Sequence, residues 1–251
     1  MNSWKVPEKG PIALIGSCFS DELKIPLQRE GYEVFSNPFG TLFHPIPIFN
    51  WLERACKNSI LEHEMQLEFH EGSWKSLQGG KMLRRETKED LVAFIQSKVA
   101  ELNSELKKAK TLVITIGTAH AWIHNNYGVV GNCQRLPQQV FQRKIIPLND
   151  MIQAGESCLE ALNKLNSRLR IVLTVSPVKH WRMGVVENSF TKARSIELVQ
   201  ALKSQYALEY FPSYELVTDV LRNDEYFEPD RCHPNERAIE AVVNHFLKLK
   251  K

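Results

Sequence analysis

Long hydrophobic runs are missing from this chain. No stretch of about 18 apolar residues occurs, and the opening MNSWKVPEKG holds no apolar core of the kind a secretion signal needs. Neither a membrane span nor an export signal is expected. Charge of one sign is missing too: the formal net charge is +3 and no Lys/Arg block stands out. That argues against nucleic acid or an anionic membrane surface as partner. Cysteine is sparse and odd in number, five in 251 residues. Reduced thiols and a cytoplasmic location follow more naturally than a disulfide framework. Repeats and low-complexity segments are absent as well. What remains is 43% apolar and 24% charged residues, an ordinary mixture for a globular chain with a sizeable core, read here as a single domain over 1–251.

The chain alternates short apolar runs with longer helical periodicities. Residues 12–15, 32–35, 111–116, 169–175 and 209–211 read as strands, and 111–116 is rich in β-branched residues. Helices are expected from residue 17 onward, with Phe19, Leu23, Ile25 and Leu27 inward, and over 46–56, 88–108, 149–165, 192–205, 214–221 and 234–248, the last with Pro234 in its first turn. Residues 58–86 fit neither pattern and read as an irregular insertion, with a hairpin inside it. Lys107, Lys108 and residues 248–251 read as solvated helix ends. Strand–helix alternation predicts an α/β fold: a three-layer α/β/α arrangement on a flavodoxin-like parallel sheet of about five strands with right-handed crossovers.

Two stretches carry chemistry. In Pro11-Ile-Ala-Leu-Ile-Gly-Ser17 an apolar strand breaks at Gly16 and delivers Ser17 to the start of a helix. An open α/β sheet places its active site at that carboxyl edge, where free backbone N–H groups can meet an anion. Ser is equally a preferred N-cap, so Ser17 reads as cap or nucleophile. The second stretch is Glu228-Pro-Asp-Arg-Cys-His-Pro234, just ahead of the final helix. An Asp three residues before a His can hold the imidazole through Nδ1–H and leave Nε2 to take a proton. Asp230 could instead cap the helix and His233 be a surface residue. On a doubly wound sheet both stretches reach the same edge, and Ser…Asp…His is a workable triad order.

Together these residues resemble the SGNH (GDSL-like) hydrolase superfamily and, more narrowly, the GSCFA-domain family. The matching stretches are GSCFS (16–20), NPFGTLFHP (37–45), ITIGTAHAW (114–122), VVGNCQRLP (129–137), LTVSPVKHW (173–181), ENSFTKA (187–193), YFPSYELVTDVLR (210–222) and DRCHP (230–234). The resemblance implies Ser17 as nucleophile, His233 as general base and Asp230 as its orienting partner. It implies an oxyanion site built from the backbone N–H groups of Ser17 and Gly40. A third donor, usually an Asn two residues after a strand-ending Gly, is replaced by Ala119. Asn132 is the substitute candidate, with Thr118 or His120 behind it.

Thr118, His120 and His180 are further candidates for substrate contact, His180 being equally readable as a structural histidine. His44 reads as structural, and Trp122, Trp181, Phe43 and Tyr127 as walls of an apolar pocket or as core. Cys18, Cys133 and Cys232 each adjoin a motif, and with His44, His180 or His233 they raise the question of zinc. No Cys-x-x-Cys spacing supports it, so no metal and no cofactor is expected. Cys18 is a rival nucleophile, because a helix N-terminus lowers a thiol's pKa. The expected activity is ester hydrolysis through an acyl-enzyme, on a small-molecule or saccharide ester. The alternatives are an O-acyltransferase using the same triad, or a non-catalytic binding module on the same frame.

Overall fold

The computed structural model describes residues 4–248, so residues 249–251 of the expected solvated end lie outside the described residues. A parallel five-stranded sheet forms the middle layer, built from β1 (Pro11–Gly16), β2 (Glu33–Ser36), β6 (Thr111–Ile116), β10 (Arg170–Val175) and β11 (Glu209–Tyr210). Its spatial order is β2-β1-β6-β10-β11, with every pairing parallel, the flavodoxin-like order the alternation predicts. Alternate residues of one strand feed opposite faces. Ala13 and Ile15 join one apolar cluster, Ile12 and Leu14 the other.

Helices cover both faces. On one, α1 (Cys18–Arg29) and α7 (Glu236–Leu247) contribute Phe19, Leu23, Val242 and Phe246. On the other lie α2 (Pro45–Lys57), α3 (Lys88–Lys108), α4 (Leu148–Leu165) and α5 (Val185–Gln205). No helix of the described residues is long and apolar enough to cross a membrane.

Several local expectations change. Ile25 is 58% exposed and faces solvent, because Leu23 and Leu27 already fill the inward stripe of α1. The helix expected from 192 begins at Val185, about two turns earlier, which carries Glu187 and Asn188 to the site. The helix expected over 214–221 is a short α6 (Ser213–Glu215) continued by a π-helical stretch, Leu216–Leu221. Pro234 precedes the N-cap Asn235 and pairs with Phe227 in an isolated bridge rather than sitting in the first turn. Lys248 follows α7 in the left-handed conformation.

Two small antiparallel sheets complete the fold. One, β3 (Leu67–His70), β4 (Ser73–Ser76) and β5 (Arg84–Arg85), lies within the insertion and contains the hairpin expected there. The other was not read from the sequence: β7 (His120–His124) pairs with β8 (Gly128–Val130) and β9 (Phe141–Ile145). These strands are short and half exposed, so their alternation is too weak to read.

Candidate active site

The order in which strands are added reverses between β1 and β6, the point at which an open α/β sheet forms a crevice beyond its carboxyl ends. The backbone there is closely laced. Gly16 has φ +137° and lies so near β6 that a Cβ would meet the Thr115 carbonyl oxygen at 2.2 Å, which restricts the position to glycine. Its N–H donates to Asn37 Oδ1 (2.8 Å), and Leu42 N–H donates to its carbonyl (2.9 Å). Gly117 and Thr118, just past β6, both donate to the Phe43 carbonyl.

A cleft of about 790 Å³ opens over this edge, lined among others by Cys18, Thr41, Thr118, His120, His180, Asp230 and His233. The acid–base pair is formed. Asp230 Oδ2 lies 2.6 Å from His233 Nδ1, and its Oδ1 accepts the amides of Cys232 (2.8 Å) and His233 (3.0 Å). Those contacts, led by the His233 amide and ring, hold the Asp230 carboxyl down at about 2. Both side chains are about half exposed, 50% and 53%. Lys179 N–H donates to the Cys232 carbonyl (2.9 Å), tying the loop after β10 to this loop.

Ser17 occupies the N-cap position of α1, yet its side chain makes no capping hydrogen bond. The residue is 1% exposed, and its Oγ is buried without a hydrogen-bond partner. No hydrogen bond therefore joins Ser17 to His233. Its own N–H donates to the Thr115 carbonyl (3.1 Å), and Gly40 N–H donates to Asn37 O (2.9 Å) within the NPFG turn. Both backbone groups expected to meet an oxyanion are thus engaged. The first-turn amides of Cys18 and Phe19 are both directed at the Cys18 sulfur.

The remaining candidates separate cleanly. Thr118 lines the cleft and accepts the His120 amide at 3.1 Å; His120 Nε2 lies 3.3 Å from Glu187 Oε2. His180 lines it too, its amide held by Asn188 Oδ1 (2.8 Å) and its ring driven down to about 4, chiefly by burial. His44 caps α2 through Nδ1, which accepts from Ile46 N–H (3.2 Å); burial holds it neutral, at about 3. One ring nitrogen of each, His44 Nε2, His120 Nδ1 and His180 Nε2, is buried without a hydrogen bond. Asn132 is not among the cleft residues. Its Oδ1 accepts Gln134 N–H (2.8 Å) and closes its own loop. Ala119 is fully buried.

Phe43, Trp122 and Trp181 wall the cleft, whereas Tyr127 stacks on His124 away from it. Cys18 and Cys232 line it and Cys133 does not. Among the described residues no group of three or more His, Cys, Asp or Glu is placed to hold a metal. Burial, then Glu22, pushes the Cys18 thiol above its ordinary value, the reverse of what a thiolate nucleophile needs.

Two site residues escaped the sequence reading. Lys192, on α5, is 1% exposed and donates Nζ to the carbonyls of Gly117 (2.8 Å) and Ser176 (2.7 Å), one residue past β6 and β10. Burial lowers it to about 7. Its only sequence signal was its place in the ENSFTKA stretch. Arg143 sits directly opposite Trp122 in the β7–β9 pairing and lines the cleft; nothing in its local sequence marks it. In comparison with known proteins, the family model described as the GSCFA family matches residues 11–246. No curated protein matches the chain.

Proposed function

The chain belongs to the GSCFA family, and on that premise we propose that it is a serine ester hydrolase of the SGNH type, working through an acyl-enzyme on Ser17. The observation that carries this reading is the Asp230–His233 pair, 2.6 Å apart on a cleft also lined by Cys18, the residue after Ser17. Asp230 fixes the Nδ1–H tautomer and leaves Nε2 as the proton acceptor. His233 takes the Ser17 proton as Oγ bonds to the acyl carbon. It then returns that proton to the departing alkoxide, and water repeats the sequence on the acyl-enzyme. Substrate binding must close the gap between His233 and Ser17, since catalytic hydrogen bonds often tighten only in the Michaelis complex. The first-turn amides of Cys18 and Phe19, which face the Cys18 sulfur, would turn to the oxyanion, supported by the positive end of α1. A sugar or other alcohol replacing water would make the same intermediate a transferase, and the free thiols suit a reducing, cytoplasmic setting.

A second reading has its own support. Ser17 is 1% exposed, and the Ser17 and Gly40 amides are both occupied, as a non-catalytic binding module would tolerate. Short acyl esters assayed with wild type and Ser17→Ala in parallel decide between them. Turnover lost in Ser17→Ala, together with covalent labelling of Ser17 by a serine-directed phosphonate, supports the hydrolase. Turnover equal in both proteins, or none in either, rejects it.

A further inference from the structure

The cleft holds more positive charge than acyl transfer uses. Arg143 and Lys179 both line it; among the described residues neither is in a salt bridge, and the carboxylate that acts on Lys179, Asp224, is itself shared with Arg231. Each cation is positioned by rings instead. Arg143 lies 4.7 Å from the Trp122 ring centroid, the cross-strand pairing holding the two on one face. Lys179 Nζ lies 3.6 Å from the Phe227 centroid and 4.8 Å from that of Trp181. An aromatic face orients a cation without neutralising it. Among the described residues Asp230 is the one carboxylate lining the cleft, its two oxygens taken by two amides and the His233 ring, while Glu187 stands beside the wall against His120 Nε2 at 3.3 Å. Behind the wall, Lys192 is bonded to carbonyls alone. Low-dielectric walls concentrate such an unbalanced field inside the cleft.

We propose that the cleft recognises an ester whose alcohol portion carries an anionic group, bound by Arg143 and Lys179. This rests on the esterase reading for the word ester but not for the anion. The alcohol half is assigned from the loop geometry. Lys179 is hydrogen-bonded through its amide to Cys232 (2.9 Å), the neighbour of His233, and His233 is the group that hands a proton to the leaving alcohol.

Two acetate esters of matched size supply the test, para-acetoxybenzoate and the uncharged para-acetoxybenzamide, bound to Ser17→Ala and followed by calorimetry. The carboxylate should bind on the order of ten- to a hundredfold tighter, the range of a charge-assisted hydrogen bond. That preference should shrink between about 0.01 M and about 1 M salt as screening shortens from about 30 to about 3 Å. Adding Arg143→Gln and Lys179→Gln, singly and together, should bring the ratio toward one. Equal binding of the two probes, a preference indifferent to salt, or one that survives both substitutions overturns the proposal. On wild type, para-nitrophenyl hemisuccinate should gain nothing over the butyrate ester; a tenfold gain would move the anion to the acyl half and overturn the assignment. Wild type that hydrolyses no ester while keeping the carboxylate preference removes the esterase reading alone and leaves the anion site standing.

Discussion

The Ser17 hydroxyl is buried without a partner, so deleting it costs the folded state no hydrogen bond. Ser17→Ala should melt at or slightly above the wild-type temperature while kcat on an ester falls about 10⁴-fold or more. A variant that lost stability together with rate would make the hydroxyl structural. Asp230 has its pKa depressed, so its hold on the 230–233 loop is complete above the ordinary carboxylate range and is lost as pH falls toward about 2. The amide resonances of Cys232 and His233 should titrate near that value; a midpoint near 4 would contradict the hydrogen bonds drawn. Lys192 works in the opposite sense. Its folded pKa, about 7, lies below the free value of 10.5, so between those values the unfolded chain binds the extra proton. Stability should rise over that window, with the full cost of charging expressed below it. Lys192→Met should abolish the slope measured against wild type. It should also lower stability by about 1–3 kcal/mol for each carbonyl left without a donor.

At the scale of elements, the site depends on loops held by close backbone approach. Gly16→Ala would drive a Cβ into the Thr115 carbonyl at 2.2 Å, at a φ of +137°. The expected loss is about 3 kcal/mol or more in urea unfolding, with activity falling beyond it because Ser17 moves with β1. Gln134 does comparable service for the insertion. The two hydrogens of its Nε2 are shared among the carbonyls of Ser76 (3.0 Å), Gly79 (2.7 Å) and Gly80 (2.9 Å), and Gly80 N–H in turn reaches Phe39 O (2.8 Å) beside the NPFG turn. Gln134→Ala should cost about 2 kcal/mol or more. It should also raise the protease sensitivity of residues 73–85 ahead of the rest. The strands of the main sheet were legible as short apolar runs buried on both faces, and the helices because each repeats a period of 3.6 over its own length. β7, β8 and β9 were not, since three to five residues with one exposed face give too little repetition to read.

Across the whole molecule the five thiols are free but unequally placed. Cys158 is buried and raised far above a thiol's ordinary value, and Cys56 is pushed up to about 12, both chiefly by burial. A thiol reagent should therefore label fewer than five groups in the native protein and all five in denaturant; five fast reactions in the folded state would contradict that burial. What the sequence determined by itself was local. The apolar run ending in Gly16-Ser17 made a strand and a turn, and Asp230 found His233 three residues away because that spacing lets a short loop close on itself. The tertiary structure alone decided what surrounds those groups. Ser17 lost its partners under the edge of the sheet, Asn132 was drawn into its own loop, and Arg143 was set against Trp122 by strand pairing. Lys192 met Gly117 across 75 positions of chain. Contacts so distant in sequence leave no spacing to read, because the fold, not local geometry, brings them together.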